Sequence, residues 1–522
     1  MQPDHRGART LLARAYGAAG SPAQALQAYK QLTETATDPT EKRELHLILA
    51  RLFDSAFPDP GQAAFHLEAA MQLTNDPAEK QRALDDVAAL YERAGNLQGL
   101  VDSTTRQAEA LVASSPPQQR RAAELFFRNA RLALEKMNNT ELALKFGRRA
   151  LDLAPDVVEV RGFVADLFSR TPNQQLLAIE EHRRIFRMGR VRVPSVRALY
   201  KGWAQQRAHD RSFCAAEILS FLAAADDAEE LFFTDNKKRV KKDSQEQLAA
   251  GQLTSWVAHP SQRNVVRDIL VAVAVDLGKP LASDDLETLD KKFILRPKAE
   301  DPLRSLADNL AQNIGVTGFD VWRSQARRSG VEAHSAAPLV VSVGLDVTRT
   351  HPTREQRFLL ARKLMALQSG HHLLRGLDAR GLALLLTAIG RAVDKTFPAL
   401  VVTDAAELDA LTKKVSSALS RKAKSAIAEP LSMLAAQPRG VDLQAFLNAV
   451  PQTENRAGFL LCGAFDAAIR LVARDSGATL AGDTNAMVAA LESNAQLSDL
   501  VSFALSDELF QARQALRLAI DS

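Results

Sequence analysis

Residues 141–155 read Glu-Leu-Ala-Leu-Lys-Phe-Gly-Arg-Arg-Ala-Leu-Asp-Leu-Ala-Pro. Ala143, Gly147 and Ala150 recur at helical spacing and so share one face. Residues this small let a second helix approach closely. Pro155 ends the run, because proline lacks the N–H that a continuing helix needs and clashes with the preceding turn. The stretch therefore reads as the second half of a packed helix pair, closed before the next pair begins.

Working outward, Tyr16, Phe53, Tyr91, Leu134, Phe168 and Trp203 recur at intervals of roughly 34–43 residues, each in the first helix of a candidate pair. Turn signals separate the helices at Gly20-Ser21-Pro22, Pro58-Asp59-Pro60-Gly61, Gly95-Asn96 and Asn138-Asn139. One such pair cannot bury its own apolar stripe, whereas stacked pairs bury it together.

This pattern resembles the tetratricopeptide repeat family. Leu12, Ala13, Tyr16, Ala25 and Tyr29 carry the likeness in the first unit, and Ala50, Phe53, Ala63, Leu67 and Ala70 in the second. The third has Val87, Ala88, Tyr91 and Gly95, but Thr104 stands where a large apolar residue is usual. Units around Val164, Ala165 and Phe168, and around Tyr200 and Trp203, are degenerate. The resemblance covers about residues 8–223. It implies an α-solenoid whose groove takes peptides or helices of other proteins. Tyr16, Tyr29, Phe53, Tyr91, Arg148 and Arg149 are the candidate partner-binding residues. No consistent Asn/Lys/Arg set forms a clamp for a C-terminal carboxylate. A spacer or an intramolecular brace is the alternative role for this half.

The bulk properties agree with helix. The chain has 522 residues, too many for one compact core. It is 46% hydrophobic and 25% charged, as soluble globular proteins are, and only 6% aromatic. Cys214 and Cys462 are far apart, which excludes a disulfide framework and a Cys-rich metal site. They read as buried reduced thiols. No signal peptide is visible in residues 1–14, and the runs Ile269–Val275 and Leu382–Ile389 are short of the ~18–20 residues a membrane span needs. A cytoplasmic location without a membrane span is expected. The net charge of +4 does not make a basic footprint. The densest basic run, Lys237-Lys238-Arg239-Val240-Lys241-Lys242, follows Phe232 and Phe233 but is not interleaved with aromatics. It reads as a solvated linker, and nucleic acid is not the expected partner.

The second half turns on residues 358–372, Phe-Leu-Leu-Ala-Arg-Lys-Leu-Met-Ala-Leu-Gln-Ser-Gly-His-His. Before it come helices around Val265–Leu277 and Leu303–Ile314, then strand-like segments at Val316–Arg323, Val331–Ala336 and Leu339–Val343. Thr353 to Gln356 has the form of a capping box opening the helix. This order resembles gluzincin-type zinc metallopeptidases. There a helix carries His-Glu-x-x-His, two zinc ligands and a general base. Aligned on Gly370-His371, the ligand positions hold Arg362 and Ala366, and the base position holds Lys363. The resemblance therefore implies a peptidase frame without its metal chemistry, with Arg362, Lys363, Ala366 and His371 marking the degenerate site. His371 and His372 are adjacent and point about 100° apart on a helix, so they do not chelate together. An unrelated mixed α/β core is the alternative. Five helical runs follow, at Leu382–Val393, Ala405–Ile427, Leu443–Val450, Arg456–Arg474 and Leu497–Ile520, separated by Pro398, Pro430, Pro438, Pro451 and Gly482. Lys413, Lys414, Arg421, Lys422 and Lys424 form one basic helical stretch. No dinucleotide or P-loop glycine motif and no serine-nucleophile elbow is present. Asp284 and Asp285 read as helix caps.

The expected protein is mainly α. A TPR-like α-solenoid spans 1–224, a basic linker 225–250, and a mostly helical α+β domain with a small sheet 251–522, its peptidase-like core at about 300–400. The expected role is a non-catalytic scaffold or adaptor for other proteins or peptides, with no cofactor. A metal-dependent peptidase with unusual ligands, or a nucleic-acid-associated protein using the basic patches, is the alternative. Nothing in the sequence specifies an oligomeric state.

Overall fold

The computed structural model describes residues 6–282, 291–296, 301–324, 328–437 and 440–520. Asp284, Asp285 and Pro438 lie outside them. The chain forms two compact units, Met1–Glu181 and His182–Ser522. It is mainly α: a TPR-like α-solenoid, then a mostly helical α+β region with one small sheet.

The first unit is a row of helix pairs: α1 (Arg6–Ala18) with α2 (Pro22–Thr35), α3 (Pro39–Ser55) with α4 (Pro60–Gln72), α5 (Pro77–Arg93) with α6 (Leu97–Val112), and α7 (Gln119–Glu135) with α8 (Thr140–Leu153). Then come α9 (Val158–Arg170) and α10 (Gln175–Arg187), the latter running across the division between units. From α1 through α9, consecutive helices pack on one another, which is what makes a repeat protein nearly one-dimensional. The recurring large residues Tyr16, Phe53, Tyr91, Leu134 and Phe168 stand on α1, α3, α5, α7 and α9. Turn residues double as caps. Asp59, Asn96 and Asn139 accept hydrogen bonds from the N–H groups of Gln62, Gly99 and Leu142, satisfying donors that a helix start leaves open. Ala143, Gly147 and Ala150 are all buried on α8. A Cβ added at Gly147 would stand 3.0 Å from Val164 Cγ2, so its small size serves the packing onto α9.

Two features tie successive pairs together. Thr104, the polar intruder of the third unit, lies 2.5 Å from Asn129 Oδ1 on α7, and Asn129 Nδ2 donates to the Val101 carbonyl at 3.2 Å. Both residues are buried, so each supplies what the other's burial demands. On the surface, ion pairs join residues about one repeat apart: Asp54–Arg93 at 2.5 Å, Glu92–Arg128 at 3.0 Å, Glu109–Arg149 at 3.2 Å, together with Arg43–Glu79 and Glu68–Arg106.

The second unit opens with the sixth pair, α11 (Val193–Gln205) and α12 (His209–Phe221), and with Trp203 fully buried on α11. A capping box of Asp226 and Glu229 starts α13 (Asp227–Lys237). Residues 238–249 then cross without regular structure. They are held by Asn313, whose Nδ2 donates to the carbonyls of Ser244 (2.9 Å) and Glu246 (2.8 Å). Within the basic run Val240 is buried, while Lys237, Lys238, Arg239, Lys241 and Lys242 are exposed.

The sheet contains β1 (Ile294–Leu295), β2 (Phe319–Ser324), β3 (Val331–His334) and β4 (Leu339–Gly344), in the order β1-β2-β4-β3. β2 and β4 run parallel, while β1 on β2 and β3 on β4 are antiparallel. β4 is buried along its whole length because it lies inside the sheet with the helix Thr353–Gln368 packed on it, which is why its sequence, Leu-Val-Val-Ser-Val-Gly, is mostly apolar rather than alternating. Strand β1 has only two residues and gives no periodic signal.

Several helix boundaries differ from the sequence expectation. The helix Thr353–Gln368 begins at Thr353 itself, after Pro352, and no side chain caps it. Pro430 lies inside the helix Arg421–Ala436, and Pro451 lies in the first turn of Val450–Cys462, where a missing N–H leaves no bond unmade. The real breaks are made by caps and a left-handed glycine. Ser420 caps Arg421–Ala436, so the basic stretch divides between two helices; Gly463, at φ +59°, ends Val450–Cys462; and Ser506 separates Ala495–Ala504 from Asp507–Ala515. A helix at Thr484–Ser493 was not expected.

Candidate functional site

The helix Thr353–Gln368, here the central helix, is buried on nearly every face. It packs on Val450–Cys462, here the partner helix, and also on β3 and β4. The approach to the partner helix is close because Gly458 has no side chain. A Cβ there would sit 2.8 Å from Phe358 Cδ2 and 2.9 Å from Arg362 Cγ. Arginines of the central helix satisfy the end of the partner helix. Arg354 donates to the carbonyls of Cys462 (2.6 Å) and Gly463 (3.1 Å), and Arg357 Nε donates to that of Leu461 (2.9 Å). These acceptors are among the carbonyls that a helix C-terminus leaves without an internal partner.

After the central helix the chain turns at Gly370. Its φ of +72° suits glycine, and a Cβ would stand 2.7 Å from the Leu270 carbonyl oxygen. The turn feeds a short 3₁₀ helix, His371–Leu374, that points the two histidines apart. His372 Nε2 donates to the Ala274 carbonyl at 3.1 Å. Burial pushes His372 down to about 4, so it is neutral at neutral pH. His371 faces the partner helix, with Nδ1 3.3 Å from Glu454 Oε1, while its Nε2 is buried without a hydrogen-bond partner.

Lys363 Nζ lies 3.4 Å from the other oxygen of Glu454 and 3.7 Å from Glu332 on β3. Burial opposes ionisation of Glu454, but Lys363, the His371 hydrogen bond and Arg362 outweigh it and hold the carboxyl down at about 2. Burial moves His371 below the usual histidine range despite Glu454 beside it. The result is an ionised carboxylate, a charged lysine and a neutral imidazole whose Nδ1–H faces the carboxylate.

Lys363, Ala366 and His371 line one cavity of about 290 Å³, together with Glu332 and Ala333 of the outer strand β3, Glu454, and the apolar Leu374, Leu377, Leu447, Val450 and Pro451. Arg362 is not in its wall. It reaches Asp475 at 2.6 Å and stacks over Phe358 at 5.3 Å. Glu454 escaped the sequence reading because it lies 83 residues from His371. Its neighbours Gln452, Thr453, Asn455 and Arg456 are polar as well, so nothing local marks Glu454 as a site residue. Among the described residues, no three of His, Cys, Asp and Glu gather as a metal-holding group.

The candidates in the solenoid do not converge on one site. Tyr29 and Phe53 are buried, at 7% and 6% exposure, in two different clusters of the core. Tyr16 is half-buried beside Tyr29, and Tyr91 is half-buried beside Phe53. Burial and the neighbouring Glu68, which accepts a hydrogen bond from it, raise the Tyr91 phenol. Arg148 is exposed and covers Phe168 at 4.9 Å. Arg149 pairs with Glu109. In the same unit, His46 and His66 meet in the core with their Nδ1 atoms 3.0 Å apart. Among the described residues, no helix is long and apolar enough to cross a membrane.

Stacked antiparallel helix pairs of 13–17 residues place the first unit in the class of tetratricopeptide-like solenoids. No family model matches the chain, and no curated protein matches it. Among solved structures it is similar to PilF of Pseudomonas aeruginosa, 16% identical, covering 45% of this chain and 96% of that one with a TM-score of 0.23. It is also similar to a MamA RS-1 double mutant, 15% identical over 36% of this chain and 96% of that one, TM-score 0.19. The TPR domain of P58(IPK) is 14% identical over 45% of this chain and 65% of that one, TM-score 0.20. The fold assignment rests on the helix pairs themselves.

Proposed function

We propose that the chain is a non-catalytic scaffold or adaptor that holds segments of partner proteins, on the helix row of its solenoid and in the cleft between β3 and the central helix. The observation that carries this reading is the ion-paired state of the degenerate site. Lys363 stands at the position of a peptidase general base, yet it is a cation committed to Glu454 and Glu332. Arg362 and Ala366 stand at the ligand positions; one is tied to Asp475 and the other offers no donor atom. A cleft beside an outer strand is nonetheless retained, and outer strands and grooves beside them are common peptide sites. In the solenoid, the exposed Phe65, Leu176 and Leu177 add apolar surface of the kind partner segments cover.

The test uses the purified full chain and a displayed random-peptide library, with bound peptides mapped by cross-linking. Peptides attached along α1–α10 or around β3 are the expected result. Stoichiometric zinc that disappears in His371→Ala, accompanied by peptide hydrolysis, would overturn the reading.

A further inference from the structure

Among the described side chains that line the cavity, His371 keeps a buried polar atom, Nε2, without a hydrogen-bond partner. His371 is almost fully buried, with 1% of its side chain exposed, and it lines the cavity. Its Nδ1 faces the Glu454 carboxylate, so the ring proton sits there and Nε2 presents a bare lone pair. A buried acceptor without a donor is destabilising, and a ligand that supplies the donor recovers this.

The surrounding charges restrict what that ligand is. A cationic group would meet Lys363 in the same wall. An anionic group could pair with Lys363 or Arg375 in the wall, but at Nε2 it would face that lone pair beside the Glu454 carboxylate. An aliphatic group would leave Nε2 unpaired. A neutral donor remains, and the apolar wall of Leu374, Leu377, Leu447, Val450 and Pro451 asks for an apolar body behind it. The cavity of about 290 Å³ is at the small end of ligand sites and suits one side chain rather than a large cofactor.

We propose that this cavity is a specificity pocket for a tyrosine or tryptophan side chain of a bound peptide, whose O–H or N–H donates to His371 Nε2 while the ring lies on the apolar wall. The inference rests on the reading of the cleft as a peptide site and adds the residue class that the cleft selects. Tyr and Trp combine an apolar body with a single donor at the rim, as the cavity requires.

The experiment is calorimetric titration of the full chain at pH 7.5 with p-cresol and with toluene, which differ by one hydroxyl. p-Cresol is expected to bind about tenfold more tightly, because only it pairs Nε2. His371→Phe should abolish that preference, and Leu447→Trp, which fills the cavity from another helix, should abolish binding of both. Equal affinities in the native chain, or a preference that survives His371→Phe, would overturn the proposal. The peptide library separates the two levels. Cleft-bound peptides that carry neither Tyr nor Trp would sink the pocket specificity and leave the peptide cleft standing. A p-cresol preference without any cleft-bound peptide would leave the donor pocket and remove the peptide cleft.

Discussion

Gly458 lies where the central helix and its partner pass closest, and its missing side chain is a packing requirement. A methyl group at that position meets Phe358 and Arg362 at 2.8 and 2.9 Å. Gly458→Ala is expected to destabilise the second unit by about 1–3 kcal/mol, read as a lowered denaturant midpoint. His66 makes the opposite kind of statement, about charge. Burial, with His46 and Lys30 adding to it, lowers His66 from 6.5 to about 4. Below pH 6.5 the unfolded chain takes up a proton that the folded chain refuses until about pH 4. Stability from this group is therefore complete above pH 6.5 and is lost as pH falls through that window, by at most about 1.4 kcal/mol per pH unit. Urea titrations of the full chain between pH 7 and 4.5 should show the first unit weakening, and His66→Phe should flatten the trend. At this scale the candidate site was half legible. Lys363, Ala366 and His371 are close in sequence and can be placed by helical spacing. Their shared partner Glu454 comes from a distant helix, and no local pattern announces a contact made only by folding.

At the scale of elements, the pairs α1 to α8 were legible because a repeat states its message several times. Tyr16, Phe53 and Tyr91 recur, and each degenerate position is read against its neighbours. The C-terminal helices state their boundaries once. There Pro430 and Pro451 misled: Pro451 sits in a first turn, where proline is tolerated, and Pro430 is carried inside a helix whose other face is anchored by Ala423, Ile427, Leu431 and Leu434, whereas Ser420, Gly463 and Ser506 made the actual breaks. Thr104 shows the same lesson inside the solenoid. It departs from the repeat pattern because Asn129 on the following pair departs with it. Asn129→Leu is expected to cost about 1–3 kcal/mol by removing its buried hydrogen bonds to Thr104, Thr105 and the Val101 carbonyl. The double change with Thr104→Val should recover part of that loss, and a double-mutant cycle measures the coupling. The surface ion pairs act more weakly. Arg128→Ala should cost under about 1 kcal/mol, an effect that 1 M salt removes.

At the scale of the whole molecule, two units with separate cores predict that unfolding is not a single cooperative step. Calorimetry or urea denaturation followed by local probes should resolve two transitions. Gly458→Ala should move only one, and Asn129→Leu only the other; a single transition shifted equally by both changes would contradict this division. The ion pairs between successive helix pairs carry a consequence for how such a chain is altered over generations. Asp54 with Arg93 and Glu92 with Arg128 are bonds between one unit and the next, with partners 39 and 36 residues apart. Duplicating a whole unit copies both the acid that reaches forward and the arginine that reaches back, so a new junction arrives with its pairing charges in place. An insertion of a few residues breaks that spacing at once. The solenoid therefore has a natural quantum of growth, and lengthening it by one unit is a smaller disturbance than lengthening one of its helices by half a turn.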